Sequence, residues 1–243
     1  MTNRLPQDPP KQWGLTDDEL ATAPLAFRED ALAGKVCVVS GGGSGVGRAI
    51  AYVLVRLGAD VAICGRRAEK LEETAAGIRQ HLGKTIFTKA MTIREPAQVQ
   101  ALIADTWERF KRLDVLVNCA GGQFPQAAID FSVKGWNAVV DTNLNGSWYM
   151  MQAAAQQWRD RGHAGSIVNI VAVVNRGMPQ VAHTAAARAG VIYLSKTLSI
   201  EWAPLEIRVN CVAPGSIATE GLNVYPREAA EAFVLSNPMK RLG

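Results

Sequence analysis

The apolar run Val36 to Val39 passes directly into Ser40-Gly41-Gly42-Gly43-Ser44-Gly45-Val46-Gly47, and a helical pattern follows from Arg48 to Leu57. Few junctions restrict a chain more. Glycines this dense can continue neither a strand nor an ordinary helix, because each costs backbone entropy. They can make a sharp turn that leaves backbone N–H groups free at a helix start. Gly41 allows the turn, Gly45 lets a phosphate reach the backbone, and Gly47 lets the helix pack on the sheet. The positive end of the helix dipole adds to the attraction for anions. The spacing is GxxxGxG, bounded by Ser40 and including Ser44 and Val46. At a strand-to-helix junction it predicts a dinucleotide site.

The rest of the chain repeats the same alternation. Short apolar runs fall at 61–64, 85–90, 115–117, 167–170 and 208–212. Between them lie helical stretches at 68–82, 96–110 (opened by Pro96), 184–202, and one long helix expected from Trp136 to about Arg161. Uniformly apolar short strands joined by helices predict an α/β fold: a doubly wound, Rossmann-like parallel sheet of six strands with helices on both faces.

The length of 243 residues suits one such domain, expected over 34–243. Residues 1–33 carry four prolines and read as an N-terminal extension, in which Thr16-Asp17-Asp18-Glu19 has capping-box spacing. A net charge of +4, scattered along the chain, argues against nucleic acid as a partner. Four cysteines without CxxC spacing read as buried free thiols of a reducing compartment, and three histidines make a His-rich metal site improbable. The start lacks a signal peptide, and no run is long enough for a membrane span. A soluble, cytoplasmic protein is expected.

Strand two ends Ile63-Cys64-Gly65-Arg66-Arg67. An acid there would accept hydrogen bonds from an NAD ribose, and none is present. Arg66, assisted by Arg67, can instead pair with a 2′-phosphate, so NADPH is the expected cofactor.

Several motifs resemble the short-chain dehydrogenase/reductase family. They are the glycine loop, Asn118-Cys119-Ala120-Gly121, Asp141-Thr142-Asn143-Leu144-Asn145-Gly146, and Arg208-Val209-Asn210-Cys211-Val212-Ala213-Pro214-Gly215. The resemblance covers the chain from about Lys35 onward. It implies cofactor contacts from Thr92, Ile93, Asn118, Ala120, Gly121, Pro214, Gly215, Ile217 and Thr219. It also places Asn143 at the family's catalytic Asn. The family's Tyr and Lys positions fall on Thr184 and Arg188, and its Ser position on Ala172 or Val171. Tyr193 and Lys196 are three residues apart and do not form YxxxK.

Those replacements bear on the chemistry. Carbonyl reduction needs a proton donor at oxygen, and a Thr hydroxyl is too weak an acid. An enoyl thioester needs only hydrogen-bond donors at its developing enolate oxygen. Gly121-Gly122-Gln123-Phe124, Lys134-Gly135-Trp136 and 181–191 resemble the branch of trans-2-enoyl-CoA and 2,4-dienoyl-CoA reductases. The resemblance implies NADPH-dependent reduction of an enoyl-CoA C=C bond in fatty-acid metabolism. A 2,4-dienoyl-CoA reductase and an inactive NADP-binding scaffold are the alternatives. Gln123, Phe124 and His183 are the expected substrate contacts. The dienoyl enzymes' Tyr after strand five has no counterpart in Val173-Val174-Asn175. The resemblance further implies a homo-oligomer (dimer or tetramer), a peroxisomal setting in some members, and a helix and seventh strand after Gly243. Without them, strand six would be an exposed edge.

Overall fold

The computed structural model describes residues 13–224, 232–235 and 238–243. Its strands are β1 (Val36–Ser40), β2 (Asp60–Gly65), β3 (Phe87–Ala90), β4 (Val115–Asn118), β5 (Gly165–Ile170) and β6 (Ile207–Val212). They form one parallel six-stranded sheet in the order β3-β2-β1-β4-β5-β6. The chain builds outward from β1 to β3, then returns to β4 on the other side of β1. That reversal opens a crevice above the carboxyl ends of β1 and β4, where ligands of such sheets bind.

The helices are α1 (Asp17–Thr22), α2 (Gly45–Arg56), α3 (Ala68–Leu82), α4 (Pro96–Phe110), α5 (Val133–Val140), α6 (Gly146–Arg161) and α7 (Ala182–Glu201). Alternate strand residues feed two cores. Cys37, Val39, Val61 and Ile63 pack with Ala51, Tyr52 and Val55 of α2 and Leu71 and Ile78 of α3. Val38, Ala62, Leu116 and Ile167 pack with residues of α4, α6 and α7. Trp158 of α6 is fully buried, and its indole N–H donates to the Leu113 carbonyl at 2.7 Å. Asp114 ties the starts of β1 and β4: it accepts from the Val36 N–H at 2.9 Å and from Arg112 and Lys35. Burial alone would raise its pKa, but those bonds outweigh it and lower it.

Several expected boundaries move. The helix of 136–161 begins earlier, at Val133, where Ser132 accepts from the Gly135 N–H at 3.0 Å. It is not continuous: a π-helical turn, Asp141–Asn145, separates α5 from α6. The helix after the glycine loop starts at Gly45, so the last glycines of the loop are its first turn. The extended stretch at 85–90 is a strand only from Phe87. β6 lies at the sheet edge, with Val209 buried and Val212 half-exposed.

Ahead of the sheet, the Thr16 capping box forms in full and starts α1, whose Leu20 enters the α2/α3 core. All four cysteines are free, and burial pushes the thiols of Cys37 and Cys64 up to about 12. Cys119 and Cys211 are only partly buried. Among the described residues no helix is long and apolar enough to cross a membrane, and no group of His, Cys, Asp or Glu could hold a metal ion.

Candidate active site

The glycine loop rises from β1 and meets the turn after β4. Gly41 has φ +76°, and a Cβ there would lie 2.9 Å from the Ala120 backbone. A Cβ at Gly47 would overlap the Gly41 carbonyl, so the last glycine serves the loop itself and not only helix-on-sheet packing. The first helical backbone bond of α2 runs from the Arg48 N–H to the Ser44 carbonyl. The N–H groups of Val46 and Gly47 precede it and have no partner within the helix. Ser44 makes no side-chain cap; its hydroxyl accepts from Arg67 at 3.5 Å and keeps its proton for a ligand. This cradle fits a pyrophosphate.

A groove runs from the loop across β2 and β3. Gly41, Ser44, Arg66, Arg67, Thr92 and Ile93 line it, and Ala120, Gly121 and Thr142 close its far end. Lys70 of α3 also lines it, a third cation beside the two arginines. Sequence reasoning missed Lys70, which faces the groove only because α3 turns back over the glycine loop. The hydroxyl of Thr92 accepts from the Arg94 N–H at 3.3 Å.

Other expected cofactor contacts lie elsewhere. Ser40 is fully buried and its hydroxyl accepts from the N–H groups of Cys119 and Ala120, both at 3.2 Å. It joins the two loops and does not face the groove. Asn118 also turns inward, donating to Asn169 Oδ1 at 2.8 Å. Asn169 donates to Ser195, which donates to the Val191 carbonyl, so a buried polar chain links β4, β5 and α7. Gly45, Val46, Pro214, Ile217 and Thr219 line a separate cavity on the outer side of α2, and Gly215 is exposed. The reason is local: the segment after β6 folds against α2 and not over the groove.

Asn143 and Arg188 meet at Gly121, at the groove's far end. Asn143, within the π-turn, donates to the Gly122 carbonyl and accepts from the Gly122 N–H, both at 3.0 Å. Its amide is therefore spent on fixing the loop after β4. Ser147 holds the π-turn through the Asn143 carbonyl. Thr184 and Arg188 are four residues apart on α7 and share one face. Thr184 lies within the first turn, since Val181 is the cap residue. Arg188 is 9% exposed and reaches over Gly121, with Nη2 at 3.5 Å from the Ala120 carbonyl. Burial lowers its pKa from the very high arginine value, and among the described residues no carboxylate offsets that. A buried, unpaired guanidinium is costly in an empty protein and useful beside an electron-rich ligand.

His183 is fully buried between Phe124 and Phe131, with ring centroids 4.7 and 4.4 Å away. Phe131 in turn meets Trp136. Nδ1 of His183 accepts from the Thr184 N–H at 2.7 Å. The neutral ring then carries its proton on Nε2, and the Thr184 hydroxyl, 3.3 Å from the same Nδ1, donates to it as well. Gln123 is exposed on the same loop. Tyr193 and Lys196 lie on the outer surface of α7, stacked on each other and away from the site.

Burial lowers the His183 pKa below its ordinary 6.5. Below about pH 6.5 the unfolded chain therefore binds a proton that the folded chain refuses, and stability falls with falling pH. His183→Phe should flatten that acid limb. Melting temperatures from pH 7.5 to 5 would show it, and parallel wild-type and variant curves would contradict it.

The chain is 35% identical over 231 residues to a rat peroxisomal 2,4-dienoyl-CoA reductase, covering 93% of this chain and 79% of the relative. It is 37% identical over 214 residues to a probable 2,4-dienoyl-CoA reductase of Bacillus subtilis, covering 86% and 84%. A crystal structure of a short chain dehydrogenase from Bacillus anthracis superposes with a TM-score of 0.81 at 41% identity, covering 88% of this chain and 85% of that one. The profile of the short chain dehydrogenases matches residues 35–229, the stretch that holds the glycine loop, the β4 turn and both α7 positions, and the chain belongs to that family.

Proposed function

We propose that this chain is an NADPH-dependent reductase of the C=C bond of an α,β-unsaturated acyl-CoA thioester, a trans-2-enoyl- or 2,4-dienoyl-CoA. One observation carries the reading. At the two α7 positions facing the loop after β4 stand a hydroxyl without acidity and a buried cation without a carboxylate, Thr184 and Arg188. That pair cannot protonate an alkoxide, but Thr184 can donate to an enolate oxygen, while Arg188 holds the ribose and lends its positive charge to the developing enolate. The names of the relatives support a dienoyl-CoA substrate.

NADPH, when bound, would supply a hydride to the conjugated chain, at the β-carbon of an enoyl thioester or the δ-carbon of a dienoyl one. The chain's own residues do the rest. Arg66, Arg67 and Lys70 hold the adenosine phosphate, and the N–H groups of Val46 and Gly47 with Ser44 hold the pyrophosphate. Arg188 donates to the ribose, and the Thr184 hydroxyl, turning away from its long bond to His183 Nδ1, donates to the thioester oxygen. Asn143 keeps Gly122 and the substrate loop in place without touching the reacting atoms. Phe124 and His183 wall the acyl site, and water supplies the α-carbon proton.

NADPH oxidation should follow addition of a trans-2-enoyl-CoA or a 2,4-dienoyl-CoA and should be absent with a 3-ketoacyl-CoA. Thr184→Val should cost on the order of 10²-fold in kcat, the loss of one preorganised donor. Brisk reduction of the 3-ketoacyl-CoA would overturn the reading. NADPH binding with no turnover of any thioester would favour a cofactor-binding scaffold.

A further inference from the structure

The N-terminus of α2 is gripped from two distant parts of the chain. Glu220 accepts from the Gly45 N–H at 3.0 Å, taking the first of the helix's free donors. Its other oxygen accepts from Arg48 at 3.4 Å. Arg48 also pairs with Asp17 of α1 and donates to the Leu15 carbonyl. The Tyr52 hydroxyl donates to the same Asp17 oxygen. Arg56, two turns further along α2, holds the far end of α1 through the carbonyls of Leu20 and Ala23, at 3.1 and 2.6 Å. Burial alone would raise the Asp17 pKa, but the bonds from Tyr52 and Arg48 hold it below the usual carboxylate value.

The geometry is that of a shared cation. One guanidinium serves a carboxylate from each end of the chain, and both meet at the phosphate loop. The adjoining Thr219 is thereby set beside Gly45, 3.5 Å from where a Cβ on that glycine would stand. Ser44 does not cap the helix, so Glu220 supplies from 175 residues away the cap that the local sequence lacks. Capping by Glu220 leaves Ser44 and the next two N–H groups for the ligand.

We propose that Asp17, Arg48 and Glu220 form a clasp that sets the pitch of the phosphate loop, and that they are positioning residues for dinucleotide binding which do not touch the ligand. The N-terminal helix is then part of the cofactor apparatus. This rests on reading the glycine loop as an NADPH site.

Fluorescence titration of NADPH into the whole protein tests it. Glu220→Ala should raise the NADPH Kd about tenfold, as expected for losing a charge-assisted bond. Glu220→Gln, whose amide oxygen still accepts from Gly45, should recover most of that loss. Asp17→Asn should weaken NADPH by a smaller factor through Arg48. In all three, KM for NADPH should rise while kcat at saturating NADPH stays near wild type, which a general loss of fold would not produce. Glu220→Ala binding NADPH as tightly as wild type, or more tightly, overturns the clasp. So does a Glu220→Gln as weak as Glu220→Ala. Wild-type protein that fails to bind NADPH overturns the underlying site assignment instead, so the two failures are distinguishable.

Discussion

Gly121→Ala should lower kcat by about 10²-fold or more, the scale of losing a preorganised donor, while the fold remains intact. A Cβ at this position would overlap Arg188 Nη2 and stand 3.0 Å from Asn143 Oδ1. The overlap falls on the far end of a flexible side chain, so the guanidinium swings away and the backbone need not move. What is lost is the one buried cation among the described residues of the site and the seating of Gly122 by Asn143. Melting temperature should change little, and kcat should fall nearly as far as in Arg188→Ala. The double variant should then be little worse than either single one, since both remove the same group. An unchanged kcat in Gly121→Ala would show that the Arg188 position does not matter.

Arg66→Ala should raise the NADPH Kd tenfold or more, from about 1.5–3 kcal/mol for a charged hydrogen bond, and leave NADH binding nearly unchanged. The end of β2 carries no acid to bind an unmodified ribose and no acid to repel a phosphate. The three cations lining the groove differ in what else they hold. Arg67 reaches Ser44 at 3.5 Å, and the Lys70 amine is paired with Glu73 at 2.6 Å. Among the described residues Arg66 has no such tie, and on that ground we propose it as the principal phosphate partner. Equal losses for NADPH and NADH would reassign it to general anchoring.

The strand positions and the glycine cradle were legible because both depend on short-range chemistry. Apolar runs of four or five residues fit only strands buried on both faces, and glycines between strand and helix have one ready use. The side-chain roles within the cradle were less legible. Ser40 and Asn118 occupy motif positions, yet both spend their polar atoms on neighbouring loops and strands. A motif gives the position of a residue and not the direction of its side chain. Lys70 escaped notice because nothing local separates it from a solvated helix lysine. The Asp17–Arg48–Glu220 contact could not be read at all, since its members are brought together only by the closed fold.

The π-turn at Asp141–Asn145 makes chain length, and not only residue identity, a condition of the site. It holds one residue more than an α-helical turn would, and α6 continues in phase only after it. Deleting one residue of the turn would regularise it and leave α6 in phase on the sheet, but would remove the bulge in which Asn143 is seated. The same deletion inside α6 has no bulge to absorb it and would rotate the rest of the helix by about 100°. Gln156 and Arg159, now exposed, would then swing toward the sheet and Trp158 out of it. Loss of a single codon is thus a local event at the π-turn and a global one a turn later.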